Sequence, residues 1–344
     1  MLDGVEILAA RKVRFGDRAG TSYRVLRPHA FTGDAAFDRA LSTTRALVFV
    51  PEGRDPARVP VVTLLQGITA PLERSGALVA PLVDAGFGLV VFDTPLGGER
   101  RIGAGPRGSE LAEIGRQTAN PLDLAFAERL FDAVAADFAA VLGVAAERHG
   151  LAQGTEPGGR LALFGVSFGC LLSAFAFGRD GLGQRLVGAC GHPDAAAMAR
   201  GLARSAAGWA GVPEGLVRPA LVAGPALLPA LEAAARARGG DTGVGALRLA
   251  ALLARLGRGG KAARRFNPIE FAGRVDLHRP VALLTGEQDT VATPDETRAV
   301  AARYPTHTVR VVPGLGHGWR VRGPGTFAGD CTLHLLDTLA DWRA

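Results

Sequence analysis

From residue 59 onward the chain alternates short, uninterrupted apolar runs with stretches of helical spacing. "VPVVTLLQG" and "FGLVVFDTP" carry apolar residues at consecutive positions, not alternate ones, as a strand covered on both faces requires. "ERSGALVAPLVDAG" lies between them with apolar residues at helical spacing. "PLDLAFAERLFDAVAADFAAVLGVAAERHG" follows as a long helix closed by Gly150. "RLALFGV", "CLLSAFAFG" and "RLVGACG" repeat the strand, helix, strand order, and so do "PVALLTG", "PDETRAVAARYP", "HTVRVVPG" and "GDCTLHLLDTLADWRA". Strands separated by helices must cross over and pair in parallel, so an α/β chain with a doubly wound, mostly parallel sheet is predicted. The first 60 residues differ. "VEILAARKVRF", "TSYRVLRPHAF" and "ALVFVPEG" read as extended segments, an N-terminal antiparallel addition to that sheet.

One block breaks the alternation. Residues 195–265 are helical in composition, with no β-branched run, and they leave from the carboxyl end of a strand at Gly191. An α-helical cap over the edge where open α/β sheets bind ligands is the expectation. The predicted division is therefore a core domain of 1–194 and 266–344 with a cap or lid insertion at 195–265.

Composition narrows the function classes. The chain has 344 residues, 48% of them apolar, enough for a large core. Its longest uncharged apolar stretch, "PALVAGPALLPAL", is broken by three prolines, so no membrane-spanning helix is predicted. "MLDGVEILAARK" carries Asp3 and Glu6 and does not read as a signal peptide, and the three cysteines form no disulfide framework. A cytoplasmic protein is expected. The net charge of +6 is spread along an Arg-rich chain, and aromatics are only 6%, so no nucleic-acid partner is expected. Arg236, Arg238 and Arg248 could flank an apolar face, but membrane contact through the cap is not expected. Homo-oligomerisation is compatible with the sequence, which carries no signal for or against it.

"GVSFG" places Ser167 between Gly165 and Gly169, directly after a buried strand and before a helix of small residues. With seven serines and 47 glycines, about 0.13 such matches arise by chance, so context has to carry the assignment. On a strand-to-helix turn the flanking glycines allow a tight bend, and the helix N-terminus favours a developing negative charge. A serine hydroxyl needs a base, and the base an orienting acid. "TGEQDTVATP" carries Glu287 and Asp289, and "GLGHGW" carries His317, both just past predicted strands at the carboxyl edge that holds Ser167. Asp289 is preferred to Glu287 as the acid, with Asp194 as a competitor. Among seven histidines, only His192 and His317 fall on carboxyl-edge loops; His29, His149, His278, His307 and His334 lie elsewhere. His317, in its glycine-rich loop, is the expected base. The backbone N–H groups of Phe168 and Ile68, the latter after the "VVTLLQG" strand, are the expected oxyanion donors.

Taken in order, "VVTLLQGIT", "GFGLVVFDTPLGGER", "GVSFG", "GEQDTVATP" and "GLGHGW" make residues 45–340 resemble the α/β-hydrolase superfamily. The nearest resemblance is to small cytosolic esterases and to dienelactone-hydrolase-like or acyl-peptidase-like members. That resemblance implies a Ser167, Asp289, His317 triad acting on a small acyl substrate, with Asp93 structural. It also implies that the pair Gln66-Gly67 stands where members commonly carry His-Gly. The 195–265 segment matches no named subfamily.

Other patterns carry no chemistry. "GAGPRG" has Pro106 inside it and no strand before it, and "GRGGKAARR" has Arg255 and Ala262 where a phosphate loop needs glycine and a hydroxyl. No cluster has zinc-ligand spacing. Neither a cofactor nor a metal is expected. The expected activity is carboxylic-ester hydrolysis through an acyl-enzyme. Amide, peptide, thioester or C–C cleavage by the same residues, or a non-catalytic binding protein, are the alternatives.

Overall fold

The computed structural model describes residues 4–31, 33, 35–67, 72–94, 100, 124–153, 159–210, 264–317 and 326–342, together with isolated positions between 230 and 254. Nine strands form one sheet: β1 (Glu6–Phe15), β2 (Arg18–Leu26), β3 (Thr43–Phe49), β4 (Val61–Leu65), β5 (Gly88–Phe92), β6 (Leu161–Val166), β7 (Arg185–Ala189), β8 (Val281–Gly286) and β9 (His307–Val312). Their order is β1-β2-β3-β5-β4-β6-β7-β8-β9. The pairings among β1, β2, β3 and β5 are antiparallel, and those from β5 through β4, β6, β7, β8 to β9 are parallel. The predicted antiparallel addition and parallel body are both present. Between β2 and β3 lies an eight-residue helix, α1 (Ala35–Ser42), inside the region read as extended. Its "AAFDRALS" is too short for periodicity to distinguish from a strand.

The helices are α2 (Gly76–Asp84), α3 (Leu124–His149), α4 (Phe168–Arg179), α5 (Ala195–Ala210), α6 (Pro294–Ala301) and α7 (Thr326–Thr338). Two apolar cores result because the uninterrupted strands point side chains both ways. Val61 and Leu65 of β4 join a core with α3, α4, α5 and α6, while Val62 and Leu64 join one with α2 and α7 on the opposite face. Each fully buried Leu, Val or Phe contributes about 1.5–3 kcal/mol. Aromatic edges tighten the first core: Phe92 meets Phe138 at 4.9 Å and Phe131 meets Phe175 at 4.7 Å between ring centroids.

Arg100 follows β5 and is fully buried. Its guanidinium pairs with Asp137 of α3 at 2.5 Å and donates to the Leu41 carbonyl, 2.8 Å from Nε. These contacts tie Arg100 to α1 and α3; Asp93, just past β5, donates its N–H to the Arg45 carbonyl at 3.0 Å. No helix among the described residues is long and apolar enough to cross a membrane.

Candidate active site

Parallel pairing brings the carboxyl ends of β4, β6, β7, β8 and β9 to one edge, and Gly67, Ser167, His192, Asp289 and His317 all follow those ends. Ser167 sits between β6 and α4 with φ 53° and ψ −117°, a region L side chains rarely occupy. Three neighbours impose that bend. A Cβ on Gly165 would overlap the backbone of Gly169 and Cys170, one on Gly169 would overlap the Leu65 and Gln66 carbonyls, and one on Gly191 would overlap the Ser167 carbonyl. The Ser167 N–H donates to the Ala189 carbonyl of β7 at 2.8 Å, pinning the turn to the adjacent strand.

Ser167 Oγ lies 3.1 Å from His317 Nε2. On the far side of the ring, His317 Nδ1 lies 3.0 and 3.1 Å from the two carboxylate oxygens of Asp289. Asp289 is buried, and burial works to raise its carboxyl. The His317 contact and the N–H groups of Ala292 and Val291, each 2.8 Å from Oδ1, outweigh that and hold it below the usual carboxylate range. An ionised carboxylate only accepts, so Nδ1 carries the proton, and Nε2 is bare and accepts from the Ser167 hydroxyl. The arrangement can take the hydroxyl proton as Oγ attacks an electrophile, and it leaves positive charge next to Asp289.

The rival carboxylates are engaged elsewhere. Glu287 Oε2 accepts the Gly314 N–H at 2.9 Å, tying the β8 loop to the loop that bears His317. Asp194 Oδ1 accepts from the Ala196 N–H and from Asn267 Nδ2, both at 2.9 Å, which makes it a cap for the start of α5. His192 is fully buried, with no partner for either ring nitrogen among the described residues, and burial pushes it down to about 4. His149 accepts from or donates to Tyr23 at 2.8 Å, joining α3 to β2.

Phe168 opens α4, and its N–H belongs to the first turn, where helix donors have no intrahelical acceptor. Ile68 lies outside the described residues. Gly67 just before it sits beside the serine, because a Cβ there would be 3.4 Å from Ser167 Cβ and 3.9 Å from its Oγ. Gln66 is buried and donates from Nε2 to Ser75 Oγ at 2.7 Å, bracing the end of β4 against the start of α2. No group of three or more His, Cys, Asp or Glu side chains among the described residues could hold a metal ion.

No family model and no curated protein sequence matches the chain. Solved structures do. An acetyl xylan esterase from Paenibacillus sp. R4 aligns with a TM-score of 0.55 at 15% identity, over 97% of this chain and 89% of that one. A cold-adapted esterase from an Arctic intertidal metagenomic library aligns with a TM-score of 0.53 at 13% identity, over 97% and 98%. Acetyl xylan esterase 1 from Thermoanaerobacterium sp. JW/SL YS485 aligns at 0.51 with 15% identity, over 97% and 90%. At such identities the likeness is one of architecture, and together with the sheet order it shows that the chain has the α/β-hydrolase fold.

Proposed function

We propose that the protein is a serine hydrolase that cleaves a carboxylic ester of a small acyl substrate through an acyl-enzyme. The observation that carries this reading is the continuous hydrogen-bond chain from Ser167 Oγ through both nitrogens of His317 to Asp289. Ser167 Oγ forms a bond to the carbonyl carbon while His317 Nε2 takes the hydroxyl proton. His317 then returns that proton to the departing alcohol oxygen as its bond to carbon breaks. Water repeats the sequence on the acyl-enzyme, giving its proton to His317 and releasing the acid, with Ser167 reprotonated. The N–H groups of Phe168 and Ile68 are assigned to the oxyanion, since charge develops beside the first turn of α4. Residues 195–265 are assigned as a cap on a core of 1–194 and 266–344, selecting an apolar acyl or alcohol group. Cys170, Cys190 and Cys331 are buried and joined in no disulfide, which fits a reducing, cytoplasmic setting.

Covalent labelling by a fluorophosphonate, read by intact mass on wild type and Ser167→Ala, tests the nucleophile. Wild type gains one adduct and the variant none; an adduct in Ser167→Ala, or none in wild type, overturns the assignment. p-Nitrophenyl esters from acetyl to dodecanoyl then test the bond type, and absence of turnover across that series removes the ester reading.

A further inference from the structure

The loop that carries Asp289 is clamped from outside by α5, the first helix of the 195–265 segment. Asp289 Oδ1 takes its backbone donors from Val291 and Ala292, so the carboxylate goes wherever residues 290–292 go. Thr290 and Val291 both have a partner on α5. Arg204 Nε donates to the Thr290 carbonyl at 3.0 Å, and Ser205 Oγ meets Thr290 Oγ1 at 3.1 Å. Gly201 lies so close to Val291 that an added Cβ would overlap the Val291 carbonyl. Beyond the loop, Glu296 of α6 is bound by Arg204 and, at 2.9 Å, by Arg200 Nε, and it accepts the Thr293 hydroxyl at 3.1 Å. Burial works to raise the Glu296 carboxyl, but Arg204 and Arg200 hold it down to about 2, so the clamp is charged at any working pH.

We propose that Arg204 and Gly201 are positioning residues for Asp289, so that α5 sets the His317–Asp289 contact as well as covering the sheet edge. This rests on the reading of Asp289 as the acid that orients His317. Neither residue touches the reacting atoms. Displacing residues 290–292 carries Asp289 away from His317 Nδ1 and leaves the Ser167 turn untouched, because that turn is pinned to β7. A displacement of about 1 Å in such a constellation costs on the order of 10- to 100-fold in rate.

The test uses Arg204→Gln and Gly201→Ala, with Arg204→Lys as the conservative variant. Two quantities are read: kcat and KM on the best p-nitrophenyl ester, and the low-field proton resonance of His317 Nδ1–H. In Arg204→Gln and Gly201→Ala, kcat falls about 10- to 100-fold, KM stays within about twofold, and the resonance moves upfield. Arg204→Lys, which keeps the charge on Glu296 but lacks the fork, recovers part of the loss. A KM that rises with kcat intact, which marks a helix that only covers substrate, overturns the proposal, as does an unmoved resonance. If Gly201→Ala does not fold, Arg204, which is only partly buried, decides the question. If wild type neither labels nor turns over esters, the hydrolase reading has failed separately, and the resonance in Arg204→Gln still decides whether α5 sets the pair.

Discussion

Replacing Asp289 by Asn changes one atom and reverses the protonation of His317. Oδ1 of Asp289 faces two backbone donors, Val291 N–H and Ala292 N–H, each at 2.8 Å. The amide oxygen of an Asn must therefore take the Oδ1 place, because an NH₂ there would face two N–H groups. That puts the amide nitrogen at Oδ2, 3.1 Å from His317 Nδ1. The oxygen at the Oδ1 place, 3.0 Å from Nδ1, already has both lone pairs filled by the Val291 and Ala292 N–H groups, so the amide hydrogen decides: Nδ1 accepts it and the ring proton moves to Nε2. Nε2 then points a hydrogen at Ser167 Oγ across 3.1 Å and cannot take the hydroxyl proton. Loss of the base by a wrong tautomer, with geometry intact, costs about 10⁴-fold in kcat, or about 5 kcal/mol. The assay is kcat on the best ester beside the rate of fluorophosphonate labelling, with far-UV circular dichroism to show the fold retained. Asp194→Asn serves as the comparison: as a helix cap it stays within about threefold of wild type. A kcat for Asp289→Asn above a tenth of wild type refutes this account of the tautomer, and a collapse in Asp194→Asn moves the acid to that residue.

Arg100→Met strips a fully buried Asp137 carboxylate and the Leu41 carbonyl of their partner, and should cost about 3–5 kcal/mol in urea unfolding; a loss under about 1 kcal/mol contradicts the anchoring role. Gly169→Ala drives a Cβ into the Leu65 and Gln66 carbonyls, so the turn must open, with about 1–3 kcal/mol less stability and slower labelling of Ser167; an unchanged labelling rate speaks against a turn that glycine enforces. His192 and His334 are both pushed by burial from 6.5 to about 4. Between those limits the unfolded chain binds protons that the folded chain refuses, so stability is full above pH 6.5 and lost as pH falls toward 4, by at most about 3 kcal/mol for each group. The urea midpoint should drop between pH 7 and 4.5, and less so in His334→Leu; equal drops in the two proteins would discount His334.

The candidate site is legible in the sequence where local rules act alone. Strand, glycine, serine, glycine, helix is a contiguous pattern, and both Asp289 and His317 follow runs apolar enough to be identified as central strands. Choosing Asp289 over Glu287 had no such support, because both lie within three residues on one loop; the Gly314 N–H that occupies Glu287 arrives from the next strand. Gln66 shows the same limit: its partner Ser75 stands nine positions away, and only the start of α2 brings the two together. Arg100 closes the "DTPLGGER" stretch, but its buried pairing was not legible there, because its carboxylate lies 37 positions on, in a different element. The α5 clamp was hidden for another reason. "AAAMARGLARSAAGWA" is so rich in alanine that its spacing does not show which face meets the sheet, and Gly201 acquires a purpose only when Val291 lies against it.

Two non-glycine residues among those described have positive φ: Ser167 at 53° and Cys190 at 50°, at the ends of adjacent strands. A backbone held there costs about 1–3 kcal/mol per residue, which glycine would not incur. Ser167→Gly should therefore raise the melting temperature while abolishing labelling. If Ser167 does the proposed work, the side chain there is retained against the direction in which stability alone would drive the sequence. A lineage released from catalysis would have a downhill path at position 167, and glycine appearing there would be an early mark of the fold turning to another use.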